Sequence, residues 1–180
     1  MKQLIFIICV FCAISNYAQN DFGSVTAIFN LQEVAMIDLE PNNSTVTLNL
    51  AASNEAGEKA AIVMANNKKW INFSSAVIAG NSRSISIQMD VGQVAPPGIY
   101  LKLSTSNYMG IGQGVLGSPS GVVTLNDTPQ TIISNIKGAY TGNGINNGYE
   151  LTYYLEIYDY KLLDFDQSAT LSIILTLNEF

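Results

Sequence analysis

A strict two-residue alternation of apolar and polar side chains constrains this chain more than any other feature. In the segment Arg83–Gly92, Ile85, Ile87, Met89 and Val91 alternate with serine, glutamine and aspartate. Because successive side chains of a β-strand point to opposite faces, this spacing places the four apolar side chains on one face and leaves the other face in water. The segment therefore predicts a half-buried strand rather than a helix.

The same period recurs along the chain. Further strands are predicted over Val25–Leu31, Val46–Leu50, Ile99–Leu103, Tyr149–Ile157 and Leu171–Leu177, with shorter ones near residues 60–65, 70–74, 121–125 and 130–133. Clusters of Asn, Asp, Gly and Pro between them are typical of turns. The best helix candidate is Glu55–Met64, which Gly57 weakens. Short strands at this spacing predict an all-β fold: a single antiparallel β-sandwich domain with immunoglobulin-like, Greek-key connections.

The first residues have the order of a secretory signal peptide. Lys2 precedes an apolar run over residues 4–13, and Ala18 offers a small side chain for cleavage. The run is shorter than the roughly 20 apolar residues that span a bilayer. We therefore predict a signal peptide over residues 1–18, a β-sandwich domain over residues 19–180, and no transmembrane segment in the mature chain. An uncleaved N-terminal anchor helix is the alternative.

Loss of this segment leaves a chemically plain domain. Cys9 and Cys12 both lie within it, and the chain has no histidine. The mature domain then has neither a thiol nor an imidazole, which excludes cysteine nucleophiles, Ser-His-Asp catalysis and the usual zinc ligands. We expect no enzymatic activity, no cofactor and no metal bound by such ligands. Export without disulfides indicates secretion, or a place in the periplasm or on the cell surface of a Gram-negative bacterium.

The charge and glycine patterns argue against two further kinds of ligand, nucleic acids and dinucleotides. Lys2 also leaves, so fourteen acidic residues face seven basic ones, and Arg83 is the single arginine. Without clustered basic residues we expect no nucleic-acid partner. Gly112–Gly117 spells G-x-G-x-x-G, but Ser118-Pro119 follows and opens no helix that could bind a pyrophosphate. We interpret Met109–Gly121 as a mobile glycine-rich loop.

Tyr154 and Tyr158, with Tyr160 beyond them, are predicted to lie on the face opposite Leu155 and Ile157. A row of outward tyrosines can stack on sugar rings or pack against a partner, since each offers apolar area with a polar tip. Packing of the same tyrosines beneath another layer or a loop is the alternative. The sequence therefore makes Tyr154 and Tyr158 the candidate ligand or partner face.

Three acidic residues between the last two predicted strands are candidate calcium ligands. Asp159, Asp164 and Asp166 could contribute carboxylate oxygens, with backbone carbonyls completing the shell. Their spacing is not that of an EF-hand. A solvated loop without an ion is the alternative, and the sequence does not decide between the two.

Short motifs in the C-terminal half resemble a known group. Pro96-Pro97-Gly98-Ile99-Tyr100 resembles the Pro-x-Gly-x-Tyr entry to a late strand in pilin-like and spore-coat-U-like secreted sandwiches. Leu151-Thr152-Tyr153 and Ala169–Leu177 resemble their final strands, and the mature chain is similar to a group of flavobacterial envelope proteins. The resemblance implies an immunoglobulin-like sandwich, polymerisation by strand donation and no catalysis. This chain lacks the disulfide that many of those proteins have.

Three functions follow as hypotheses. The first is a pilin-like structural or adhesive surface subunit, in which Asp21–Leu31 or Ala169–Leu177 pairs with the same or a homologous subunit. The second is a monomeric extracellular module that binds a carbohydrate or another ligand through the tyrosine face. A small outer-membrane barrel fits less well, because counting back by twos from Phe180 gives Asn178, Thr176, Ile174 and Ser172, so that most of the face that would need to be apolar is polar.

Overall fold

The structure is a computed structural model, and it describes residues 26–42, 44–164 and 168–180. The chain divides into two compact units, Met1–Leu31 and Gln32–Phe180. Within the first unit the described residues are 26–31, which form no helix or strand and are exposed. The predicted cleavage site after Ala18 lies outside the described residues and stays a prediction.

The second unit consists of β-strands, and its described residues form no α-helix. The strands are β1 (Val34–Glu40), β2 (Thr47–Ala51), β3 (Ala61–Ala65), β4 (Lys68–Ala76), β5 (Arg83–Met89), β6 (Ile99–Thr105), β7 (Gln113–Gly114), β8 (Ser118–Pro119), β9 (Val122–Thr124), β10 (Gln130–Ile136), β11 (Ala139–Tyr140), β12 (Tyr149–Ile157) and β13 (Ile173–Glu179). A 3-10 turn covers Tyr160–Leu162. None of the described helical residues forms a segment long and apolar enough to cross a membrane.

The first sheet is organised around β4. Strand β1 pairs along one edge of β4, while β12 and β11 share its other edge, at Lys68–Ile71 and at Ser74–Ser75 respectively. The sheet continues from β12 to β6 and β9, and from β11 to β7. Every pairing among the described strands of this sheet is antiparallel.

The second sheet has the order β13-β5-β10-β8, and β2 and β3 form a separate hairpin. The alternation of β5 buries Ile85, Ile87 and Met89, and β13 pairs with it so that Leu175 lies opposite Ile87. The prediction that the serine face of this segment lies in water is wrong, because Ser84 and Ser86 are buried as well, and Val91, beyond the end of β5, is 80% exposed. The apolar side chains of β5 and β13 pack with apolar residues of the first sheet, including Phe73, in one core. The predicted antiparallel all-β sandwich is confirmed.

One predicted strand is absent and one weak helix candidate is not a helix. Glu55–Met64 contains a turn followed by β3, close to the strand predicted near residues 60–65, and Gly57 adopts a positive φ of 93° that interrupts a helix. The strand predicted over Val25–Leu31 does not form in residues 26–31, and the first strand begins at Val34. Alternation produces a strand only where a neighbouring strand supplies the backbone hydrogen bonds.

The glycine-rich segment is also different from the expected mobile loop. It contains β7, which pairs with β11, and β8, which pairs with β10. The Tyr108 hydroxyl accepts a hydrogen bond from the Gly112 amide and donates to the Thr141 carbonyl at 2.9 Å. At Gly112 an added Cβ would collide with the Tyr140 carbonyl. The glycines here allow close packing of backbones, which is a structural role.

Candidate functional site

The candidate site is the outer face of the first sheet where β6 and β12 pair. These strands are in register from Ile99 opposite Ile157 to Thr105 opposite Leu151. Leu101 of β6 and Tyr153 of β12 point into the core. The residues that alternate with them along each strand therefore point outward. That outer face carries Tyr100, Lys102, Tyr154 and Glu156. We call these four residues with Tyr158 the tyrosine face.

Two of its aromatic rings form a stacked pair. The rings of Tyr100 and Tyr158 have centroids 4.2 Å apart and planes inclined by 20°. Both side chains remain exposed, Tyr158 at 47%. Tyr154 is half-buried and lies in register with Lys102 on β6. The stacked pair presents aromatic area to solvent at this end of the sheet.

An ion pair lies beside the rings. Lys102 Nζ and Glu156 Oε2 are in direct contact, and Tyr100 lies in register with Glu156. The hydrogen bond to Glu156 raises the pKa of Lys102, against a smaller opposing effect of desolvation. The ammonium group is therefore protonated at neutral pH. The tyrosine face combines flat apolar area with one donor and one acceptor of opposite charge.

Tyr154 lies on the outer face of β12, and Tyr158, which follows the last residue of that strand, joins the same surface by stacking on Tyr100. Tyr160 lies in the 3-10 turn that follows. Sequence reasoning missed Tyr100, which is the stacking partner of Tyr158. Its alternation with Leu101 indicates an outward direction, but only the register of β6 against β12 shows which side chain it meets. Trp70, on central strand β4, is buried, although it lies outside the main core cluster.

The acidic loop gives no described cation site. Asp159 caps the 3-10 turn, because its Oδ1 accepts a hydrogen bond from the Lys161 amide at 2.9 Å. Asp166 lies outside the described residues, so the calcium hypothesis for the complete loop stays a prediction. Within residues 26–42, 44–164 and 168–180, no three Asp, Glu, His or Cys side chains form a group that could hold a metal ion.

The two segments considered for strand donation differ in the structure. Of Ala169–Leu177, the residues from Ile173 onward belong to β13, which pairs with β5 of the same chain. Residues 26–31 form no strand, and the side chains of Ile28, Phe29 and Leu31 are exposed, Phe29 at 92%. The C-terminal segment is therefore already used within its own sheet.

Comparison of the chain with protein families, with curated proteins and with solved structures gives no match.

Proposed function

We propose that this protein is an exported, non-catalytic structural or adhesive surface subunit, pilin-like, that associates with further copies by strand pairing. The observation that carries the proposal is the exposure of Ile28, Phe29 and Leu31 in a segment that forms no strand of its own. Burying a side chain of this size stabilises by about 1.5–3 kcal/mol relative to leaving it in water. Such a segment therefore favours association with a surface that can cover it.

The sheet edges offer suitable partners. Among the described residues, β1 pairs only with β4 and β13 pairs only with β5. Each therefore has an edge whose backbone groups can template an added strand. The proposed export of the protein rests on the signal-like segment Met1–Ala18. We also propose, as part of the same function, that the sandwich has immunoglobulin-like connections.

Removal of the N-terminal segment is expected to abolish assembly. The mature chain over residues 19–180 should elute in size-exclusion chromatography as a series of oligomers, and a chain that begins at Gln32 should elute as a monomer. The compact unit Gln32–Phe180 contains all the described strands, so the truncation leaves the sheets intact. If both proteins are stable monomers, strand donation is wrong.

A pair of variants distinguishes insertion of a strand from nonspecific hydrophobic association. In an added strand, Phe29 and Leu31 face the partner's core, while Ile28 lies on the opposite face. The Phe29→Ser/Leu31→Ser protein should therefore have an oligomer fraction lower by about tenfold or more, since each buried side chain contributes more than 1.4 kcal/mol. The matched Ile28→Ser protein should assemble almost normally. Equal loss in both proteins would contradict insertion of a strand in this register.

A second candidate function is carbohydrate binding at the tyrosine face. It is favoured by the exposed Tyr100–Tyr158 stack, whose rings are 4.2 Å apart beside the Lys102–Glu156 pair. A sugar ring can pack its C–H face on such a surface while its hydroxyls bond to the charged groups. This monomeric binding role does not require an exposed N-terminal segment.

Glycan-array binding tests this alternative. The Tyr158→Ala protein should bind any recognised glycan about tenfold more weakly, because an aromatic contact of this kind contributes up to about 1.5 kcal/mol. Tyr154→Ala, beside Lys102, should show a smaller loss. The control is Tyr140→Ala, since Tyr140 is equally exposed at 47% but lies on β11. Binding that is unchanged in Tyr154→Ala/Tyr158→Ala would remove the tyrosine face as the site.

A further inference from the structure

Strand β3 is apolar along its whole length, and all of its residues are exposed. Ile62, Val63 and Met64 are each between 38% and 49% exposed, with an alanine on either side. Among the described residues β3 pairs only with β2, so its second edge presents free backbone groups. An uncharged apolar edge is the kind of strand that proteins normally cover or protect with charge. The edge of β3 therefore calls for a partner.

The β2–β3 hairpin packs against the core through its first half. Val46, just before β2, and Leu48 on that strand contact the core, whereas none of the described residues of β3 belongs to the core or packs on it. A two-stranded ribbon has little stability of its own, and a third strand is one of the additions that stabilise it. A strand added beside β3 would complete a three-stranded sheet.

The register of the hairpin defines the two faces of such a sheet. Leu48 lies opposite Met64, and cross-strand partners point to the same face. Since Leu48 packs against the core, Met64 lies on the core side of the hairpin, together with Ile62 two residues before it. Val63 lies opposite Asn49, on the outer face.

The exposed N-terminal segment has the alternation and charge that suit this edge. Residues 26–31 carry no charge, form no strand of their own and are about as long as β3. In extended form, Phe29 and Leu31 lie on one face and Ile28 on the other. Beside β3, Phe29 and Leu31 extend the core-side apolar row, while Ile28 lies next to Val63 on the outer face.

The other long free edges suit an uncharged segment less well. Strand β1 carries the exposed Asp38, and Glu33, which precedes that strand, pairs with Arg83. Strand β13 ends at Glu179, which pairs with the same guanidinium. Charged groups at an edge oppose the addition of a further strand. On β2 the alternate residues are half-buried, so this strand offers less free surface than β3.

We propose that the free edge of β3 is the acceptor, and that residues 26–31 of a second copy add to it as a third strand. This inference rests on the proposed function, because it names the surface to which the donated strand binds. The added strand gains backbone hydrogen bonds along the edge and removes apolar side chains of both segments from water. Since donor and acceptor are different surfaces, each copy donates to one neighbour and accepts from another, as in a filament or a ring.

Cysteine cross-linking of the mature chain identifies the acceptor edge, because the sequence has no cysteine beyond Cys12. Each double variant combines Ile28→Cys with a cysteine at one outer-face position of a free edge. These positions are Val63 on β3, Met36 on β1, Asn49 on β2 and Ile174 on β13. After treatment with a short bismaleimide, we expect a ladder on a denaturing gel only for the Val63 double variant. The single Ile28→Cys protein controls for links between two donor segments.

Two lysine variants test the same assignment by size-exclusion chromatography. Met64→Lys should lower the oligomer fraction about tenfold or more, because it removes an apolar contact and places an ammonium group on the core-side row. The matched Val63→Lys protein, altered at a similarly exposed position on the outer face, should assemble almost normally. Should Met64→Lys fail to fold, the cross-linking pattern decides alone.

The outcomes distinguish failure of this inference from failure of the proposed function. A mature chain that is monomeric overturns both. If the chain assembles but cross-links form only through β1, β2 or β13, strand donation stands and β3 is not the acceptor. Equal assembly of Met64→Lys and Val63→Lys, or a cross-link within one chain without a ladder, would also overturn the assignment of the β3 edge.

Discussion

Replacement of Arg83 by methionine is expected to lower the free energy of unfolding by about 3 kcal/mol. Arg83 is the single arginine of the chain and is only 2% exposed. Methionine retains apolar contact at this position but removes every hydrogen bond that the guanidinium donates. The effect should be large because carbonyl groups at the edge of the core then lose their partner.

The guanidinium joins the ends of several strands. It donates to the Val34 carbonyl at the start of β1 and, more weakly at 3.4 Å, to the Ala76 carbonyl at the end of β4. It also forms ion pairs with Glu33 and, at 2.8 Å, with Glu179 on β13. Arg83 therefore connects the two sheets where the apolar core ends. Because it is two residues before Ile85, the alternation of β5 places it on the core-facing side.

Urea unfolding followed by tryptophan fluorescence measures this effect. The control is Lys68→Met, since Lys68 pairs with Glu150 at 2.8 Å but is well exposed, and exposed ion pairs contribute about 0–1 kcal/mol. A loss in Arg83→Met that is no larger than the loss in Lys68→Met would show that the buried contacts contribute little.

The pH dependence gives a second measurement on the same cluster. Hydrogen bonds from Asn81 and Arg83 lower the pKa of Glu179 below its ordinary value. A lowered folded-state pKa contributes stability above the unfolded-state value of 4.5, and this contribution is lost as pH falls through the folded-state pKa. We expect Arg83→Met to lose less of its remaining stability on acidification than the wild type does, because one of the two main hydrogen bonds is absent.

Replacement of Gly148 by alanine is expected to cost about 3–5 kcal/mol, from backbone strain and overpacking together. Gly148 has a φ of 95°, which L-residues rarely adopt. An added Cβ would collide with the Ile71 carbonyl oxygen and would lie 3.0 Å from the Asn72 side-chain amide. The backbone cannot move away easily, because Gly148 and Met109 exchange hydrogen bonds of 2.7 and 2.8 Å.

Gly144→Ala is the matched control for this substitution. Gly144 lies in the same loop with a φ of 89°, and an added Cβ would meet nothing within 4 Å. It should therefore show only the conformational cost, about 1 kcal/mol. The difference between the urea midpoints of the Gly148→Ala and Gly144→Ala proteins measures the cost of the steric clash between residue 148 and the backbone of β4. Equal midpoints would mean that the loop relaxes and that packing at Gly148 is not tight.

The strands with the clearest alternation could be predicted from sequence. Residues of β5 alternate strictly, and Ile85 and Met89 are buried as expected. The sequence pattern did not predict strand β1. Ile37 and Leu39 pack toward the core, but Met36, which lies on the opposite face and is exposed, is also apolar, so the alternation is incomplete. When both faces carry apolar residues, periodicity no longer indicates a side.

The tyrosine face shows the same limit. The spacing of Tyr154 and Tyr158 predicts that both lie on one side, although Tyr158 follows the last residue of β12. The stacking of Tyr158 on Tyr100 depends on the register of two strands that are more than fifty residues apart in sequence. Register depends on which core residues of the two strands face each other, and one strand alone does not contain that information.

The sequence by itself determined the all-β class, the antiparallel strands with clear alternation, and the absence of histidine from the whole chain and of cysteine beyond Cys12, because these depend on local periodicity and on residue types. Only the tertiary structure decided which segment is already paired and which tyrosines stack. Those features depend on distant segments meeting in space. The same two-residue period produced a paired strand in β13 and no strand in residues 26–31, since hydrogen bonding to a neighbour decides the outcome.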